Sequence, residues 1–205
     1  MAKQRKQLDI QQINELQRRY FNRNVDLFEP PLPEGVPEKL RRIVEAGEIG
    51  KVDRVLDVGT GVGALIDYIL PYKPSKIYAN DLAENMLERV NAKYPDVITL
   101  QGDIALLDLP DGSIDVAYIN GCFSNIMDKD KALKNLRRMF VDGGRLVIAH
   151  PLGRRFIEEL KHCAPFPLDS LPSREEALTM FKAHNFEMKT YEDEREFYLL
   201  VGAAR

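Results

Sequence analysis

One stretch limits the possible folds more than any other: Val55-Leu56-Asp57-Val58 runs directly into Gly59-Thr60-Gly61-Val62-Gly63 and then into a helical apolar face of Leu65, Ile66 and Ile69. A short apolar run closed by glycines predicts a buried strand turning sharply into a helix, with backbone bare enough for a ligand to touch. The chain after Val36 repeats this alternation. Strands are expected over 54–58, 76–80, 97–101, 114–119 and 145–149, the last following the turn Asp142-Gly143-Gly144. Helical patterns carried by Met86, Leu87 and Val90, and by Leu133, Leu136 and Met139, fall between them. Strand and helix by turns require a parallel sheet covered on both faces. The last third changes: Ser173 and Glu176 form a capping box for a helix that Asn185 can end, and two strands, 186–191 and 197–201, then flank a charged turn. No crossover helix fits between them, so this pair must be an antiparallel hairpin. The expected fold is α/β, a Rossmann-like, doubly wound, seven-stranded and mostly parallel sheet with a C-terminal antiparallel hairpin.

Residues 8–24 read as an amphipathic helix with a stripe of Ile10, Ile13, Leu16 and Tyr20. Pro30, Pro31, Pro33 and Gly35 then break regular structure, which divides the chain into an N-terminal helical lid with a proline-rich hinge, 1–33, and a main domain, 34–205. The first 24 residues carry six basic side chains against Asp9 and Glu15, either a solvated face or an attraction for an acidic substrate or a membrane surface. The whole chain has a net charge of -3, which argues against a nucleic-acid partner held by phosphate contacts. No apolar run is long enough to cross a bilayer and the N-terminus lacks a secretion signal, so a cytoplasmic address is expected. Cys122 and Cys163 are too few for a disulfide framework and are expected as reduced thiols.

Gly59, Gly61 and Ala64 also satisfy the glycine pattern of a dinucleotide site, and Asp81 closes the next strand about 20 residues on, where an acid takes ribose hydroxyls. An NAD(P)-dependent oxidoreductase therefore stays open at this point, as does a tight turn with no ligand. Gly102-Asp103-Ile104 adds an acid after the third strand, on the same edge of the sheet; taken alone, Asp103 could equally cap a helix.

In order and spacing, VLDVGTGVG, NDLAENML, QGDI, LPDGSIDVAYIN, DGGRLVIAHP and the closing helix with its hairpin resemble the class I S-adenosylmethionine-dependent methyltransferases, nearest the type 11 and quinone-biosynthesis C-methyltransferase group. The likeness runs from Asp53 to the C-terminus. It implies S-adenosylmethionine as cofactor, with Gly59, Thr60, Gly61 and Gly63 against its ribose and methionine portion and Asp57 supporting the loop. It further implies Asp81 on the ribose hydroxyls, Leu82 against the adenine, Gly102, Asp103 and Ile104 at the adenine edge, and Asn120 with Gly121 near the methionine amine. Tyr20 and Phe21 stand where this family's N-terminal segment folds over the cofactor; equally, they could simply pack the first helix. The loop carries no P-loop lysine, in keeping with a cofactor without phosphate, whose carboxylate could sit at a helix N-terminus.

Methyl transfer from a sulfonium is an in-line displacement for which alignment supplies much of the rate and a base is optional. His150, ending the fifth strand, is the candidate base, the alternative being a histidine that shapes the turn before Pro151. Arg154 could clamp an acidic acceptor. His162 and His184 read as surface or packing residues, Cys122 lacks a basic neighbour to activate it, and Asp108, Asp111 and Asp115 read as a loop rather than a metal site. The expected activity is methyl transfer to a small molecule with no metal, a non-catalytic cofactor-binding module being the further alternative.

Overall fold

The computed structural model describes residues 8–205. Seven strands, β1 (Arg54–Val58), β2 (Lys76–Asp81), β3 (Ile98–Gln101), β4 (Ile114–Asn120), β5 (Phe140–His150), β6 (Phe186–Glu194) and β7 (Phe197–Ala204), form one sheet in the order β3-β2-β1-β4-β5-β7-β6. The first five pair in parallel, and β7 runs antiparallel to both β5 and β6. The expected sheet and hairpin are both present. The order reverses direction between β1 and β4, which opens a crevice at the carboxyl ends of those strands, where open α/β sheets place their ligands.

Helices α1 (Ile10–Arg23), α2 (Val36–Glu45), α3 (Ile66–Ile69), α4 (Glu84–Lys93), α5 (Lys129–Met139), α6 (Gly153–Leu160) and α7 (Arg174–Ala183) surround the sheet. Side chains alternate along β4: Val116 and Tyr118 enter one core with Ile43 of α2 and Ile66 of α3, while Ala117 and Ile119 enter the other with Leu136 of α5 and Phe181 of α7. Each fully buried aliphatic side chain contributes about 1.5–3 kcal/mol, so both layers hold the crevice rigid from beneath. Tyr118, wholly buried, donates its hydroxyl to the Val44 carbonyl at 2.7 Å, fixing the end of α2. The Ser173–Glu176 capping box starts α7 as expected, and Asn185, with φ +58°, turns the chain out of it.

Two elements differ from expectation. The helix after the glycine loop shrinks to four residues, because Gly63 stands at φ +86° before it and Pro71, which has no N–H to donate, follows at once. A helix this short contributes little dipole at its N-terminus. The turn Asp142-Gly143-Gly144 lies inside β5, accommodated by a register shift between Ile114 and Val116 on the neighbouring strand. Among the described residues no helix is long and apolar enough to cross a membrane.

Candidate functional site

β1 delivers Asp57 and Val58 to the crevice, and the backbone then turns through Gly59 and Gly61 at φ +63° and +56°. The two glycines differ in kind. A Cβ on Gly59 would stand 2.4 Å from the Cys122 sulfur, so this glycine is needed for packing. One on Gly61 would meet nothing within 4 Å: its missing side chain leaves open space in the cleft. The Asp57 carboxylate, 2% exposed, accepts a 2.7 Å hydrogen bond from the Thr60 hydroxyl, which ties the floor of the loop to its crest. Burial pushes its pKa up to about 7, against the lowering effect of Thr60 and with a further rise from the Asp81 charge.

Asp81 ends β2. One carboxylate oxygen accepts from the Gly61 N–H and the other from the Ala83 N–H, each at 2.9 Å, which leaves each oxygen a further acceptor direction. Burial raises its pKa while those backbone donors oppose the rise. Neither Asp57 nor Asp81 is paired with a cationic side chain among the described residues. Gly102 and Asp103 follow β3; the Asp103 carboxylate caps the turn at Ala105 (2.9 Å) and accepts from the Asn14 amide of α1 (2.8 Å). Leu82 and Asp103 line an open pocket of about 430 Å³ with Ile10, Asn14, Leu106 and Lys131, while Ile104 turns into the core beneath.

At the end of β4, Asn120 carries a buried side-chain oxygen with no partner, as does the Ser124 hydroxyl four residues on. Gly121 donates its N–H to the Ala149 carbonyl at 2.8 Å, which places this turn beside the end of β5. Cys122 donates to the Val58 carbonyl, and burial together with Asp81 and Asp57 holds its thiol well above the ordinary range. A protonated thiol under the glycine loop is packing, not a nucleophile.

Helix α1 lies across this edge. Asn14 reaches Asp103, Gln17 donates to the Asn125 carbonyl at 3.0 Å, Arg18 pairs with Glu84, and Asn22 accepts from the Asn85 backbone and side-chain N–H groups at 2.9 and 3.1 Å. The helix thereby bridges the loops after β2, β3 and β4. Phe21 packs with Val62 of the glycine loop, Ala83 and Met86. Tyr20 and Phe21 set their rings 5.4 and 5.8 Å from Phe166, in the connection between α6 and α7. Both aromatics therefore pack against neighbouring rings, and Phe21 also against the glycine loop. Asn14, Gln17 and Asn80 were not singled out from sequence. Asn80, which donates to the Leu100 and Gly102 carbonyls at 2.9 Å and so shapes the turn leading to Asp103, had a signal in its place beside Asp81. Asn14 and Gln17 had only their polar character on the inward side of an amphipathic helix.

His150 is 6% exposed, packs against Phe156 in a tilted arrangement with ring centroids 5.4 Å apart, and accepts the Leu152 N–H at Nδ1 (3.1 Å). Burial pushes its pKa down to about 4. The expectation of an available guanidinium at Arg154 meets a different geometry. It donates to Asp193 (2.9 Å), the Pro172 carbonyl (2.8 Å), the Tyr191 hydroxyl (3.0 Å) and the Leu171 carbonyl, so it fastens the hairpin to the α6–α7 connection. His162 follows the end of α6, and His184 caps α7, its ring between the Met180 carbonyl and Asp130. Asp111 and Asp115 pair with Arg138 and Arg54.

Comparison with known proteins adds to this geometry. The methyltransferase domain family matches residues 56–148, a span that begins in β1 and ends in β5. Residues 56–148 thus carry a methyltransferase domain, and the resemblance to the class I S-adenosylmethionine-dependent methyltransferases accords with that match and with the fold. A demethylmenaquinone methyltransferase of Thermus thermophilus is 34% identical over 113 residues, 53% of this chain and 51% of that protein. An uncharacterized methyltransferase of Schizosaccharomyces pombe is 24% identical over 82% of this chain and 68% of its own length. This chain thus spans about half of the bacterial relative and about two thirds of the yeast one. In fold, it is similar to a Burkholderia thailandensis 1,6-didemethyltoxoflavin-N1-methyltransferase solved with S-adenosylhomocysteine, with a TM-score of 0.72, 16% identity and coverage of 97% and 92% of the two chains. The dinucleotide reading of the glycine loop gives way to this family.

The residues present fit the family's cofactor. S-adenosylmethionine is a net cation, and this cleft offers two carboxylates, the buried Asp57 and the part-buried Asp81, neither of them paired with a cationic side chain among the described residues. It also offers an orphaned acceptor on Asn120 and open space above Gly61. An ammonium group would satisfy Asn120, and a positive charge would offset the cost of the enclosed carboxylates.

Proposed function

We propose that this methyltransferase moves a methyl group from S-adenosylmethionine to a small, largely uncharged acceptor inside the cleft that α1 covers. The pair Asp57 and Asp81, enclosed beside an open glycine loop and unpaired by any cation among the described residues, carries the reading. The bound cofactor supplies a methyl group already activated on a positively charged sulfur. The protein then has to bind, align and exclude water. Asp81 takes hydroxyl protons on the acceptor directions left free by Gly61 and Ala83. Asn120 accepts from an ammonium, and Asp57 holds the loop through Thr60 while its charge favours a cation above it. Leu82, Asp103 and Ile104 form the adenine end, with Gly102 shaping their turn. Within the N-terminal segment 1–33, the described residues from Leu8 onward act as lid and hinge over a methyltransferase domain of residues 34–205, with Tyr20, Phe21 and Phe166 as the aromatic roof.

Support for a small-molecule acceptor comes from the relatives named for demethylmenaquinone and for 1,6-didemethyltoxoflavin. A cytoplasmic setting accords with two free cysteines, Cys122 and Cys163. The test is incubation with methyl-tritiated S-adenosylmethionine and a panel of hydroxylated aromatic compounds, scored by label in the acceptor and by S-adenosylhomocysteine formed. Transfer to at least one acceptor is expected. Tight retention of the cofactor with no transfer to any of them would make the protein a binding module instead.

A further inference from the structure

A hydrogen bond at one nitrogen of a neutral imidazole decides what the other can do. The Leu152 N–H donates to Nδ1 of His150, so Nδ1 presents its lone pair and the ring proton belongs on Nε2. A tilted contact with Phe156 holds the ring in place, and Nε2 has no hydrogen-bond partner among the described residues. The residue stands at the carboxyl end of β5, one position beyond Ala149, whose carbonyl receives the Gly121 N–H; it is therefore beside the Asn120–Gly121 turn. The residue proposed from sequence as a base thus carries a proton, not a lone pair, on the ring nitrogen left without a partner.

We infer that His150 binds the methyl acceptor as a hydrogen-bond donor through Nε2–H, holding an oxygen of an uncharged aromatic hydroxyl or carbonyl compound. The inference rests on the methyl-transfer reading and names the acceptor chemistry of that site. A neutral donor suits such an oxygen better than a carboxylate or phosphate, which would call for a guanidinium. The nearest one, Arg154, is committed to Asp193, Tyr191 and two carbonyls, and Arg155 is exposed and paired with Glu159. Burial at about pH 7 leaves the ring uncharged, in keeping with its low pKa of about 4.

The experiment uses the full chain loaded with S-adenosylhomocysteine, with naphthohydroquinone kept reduced by dithiothreitol as the acceptor probe. Nitrogen-15 NMR of the histidine rings should show Nδ1 of His150 unprotonated and Nε2 protonated at neutral pH, with the Nε2 proton moving downfield as the probe is added. By titration, His150→Ala should weaken probe affinity by roughly twofold to tenfold, the usual range for one neutral hydrogen bond. His150→Gln, which keeps an amide donor near the Nε2 position and cannot act as a base, should recover most of the loss. A proton on Nδ1, an unmoved Nε2 signal at saturating probe, no probe binding, or a glutamine variant as weak as alanine would each overturn the inference. Failure to bind S-adenosylhomocysteine at all is a separate result, visible before the probe is added, and would bring down the methyl-transfer reading itself.

Discussion

Asp57 is the residue whose charge state this structure constrains most. Its carboxyl titrates near 3.8 in an unfolded chain and near 7 in the folded one, mainly because it is buried. A carboxyl whose folded pKa is raised binds its proton more tightly in the native state, so stability falls as pH rises from about 4 to about 7 and then levels off. Three pH units at about 1.4 kcal/mol each give about 4 kcal/mol, an order-of-magnitude figure. Asp57→Asn removes the titration while keeping an oxygen for the Thr60 hydroxyl. Its cost or gain at pH 4 reflects only the fit of the amide and should not vary with pH. The difference in unfolding free energy, variant minus parent, should therefore climb by about 4 kcal/mol between pH 4 and pH 8. The chain has no tryptophan, so urea unfolding would be followed by far-ultraviolet circular dichroism. A difference that stays flat with pH, or declines, would show that Asp57 is either solvated or already paired and would remove the electrostatic case for a cationic ligand.

Other expectations come from the same geometry. Gly61→Ala places a methyl in open space and pays only for its φ of +56°, about 1 kcal/mol, so it should fold and yet lose most of its affinity for S-adenosylhomocysteine by calorimetry. Unchanged affinity would mean that the ligand does not approach this backbone. His150 gives a slope opposite to that of Asp57. With its pKa lowered from 6.5 to about 4, native stability should fall by roughly 3 kcal/mol as pH drops across that interval, and His150→Gln should abolish this contribution in the same unfolding series. In the parent the two slopes partly cancel, so each is read only as a difference between parent and variant. Asn14→Ala removes the amide bond from α1 to Asp103, and hydrogen exchange in residues 10–23 should speed up by several-fold, for a loss of about 1 kcal/mol. Unaltered exchange would show that the helix is held by other contacts.

The pattern of strands and helices was legible because buried parallel strands are short apolar runs, and Val55, Leu56 and Val58 beside a glycine cluster leave few alternatives. Asp57, Asp81 and Asp103 could be placed on one edge because each lies at or just beyond the carboxyl end of a strand. What sequence could not supply was the orientation of side chains set by distant partners. Nothing around His150 in the chain announces that Leu152 takes its Nδ1, which reverses the chemistry open to the ring. Arg154 looked available at the start of a helix until Asp193, thirty-nine positions away, closed on it. The same holds for α1: its apolar stripe predicted a packed helix, but its polar inward side, Asn14 and Gln17, acquires meaning only from Asp103 and Asn125 across the cleft. The shortness of α3 follows from Gly63 and Pro71, which bracket the apolar spacing of Leu65, Ile66 and Ile69.

The central claim is that this cleft is built for a cation carried by an adenosyl compound. Its most direct test is calorimetric titration of the whole protein with S-adenosylmethionine, with S-adenosylhomocysteine and with NADH, each at pH 6 and pH 8. Saturable binding of the first two and none of NADH is predicted. Affinity for the sulfonium compound should rise more steeply with pH, accompanied by proton release at pH 6 as Asp57 ionises beneath it. Binding of NADH without the sulfonium compound, or S-adenosylmethionine and S-adenosylhomocysteine showing the same pH dependence and no proton release, would contradict it.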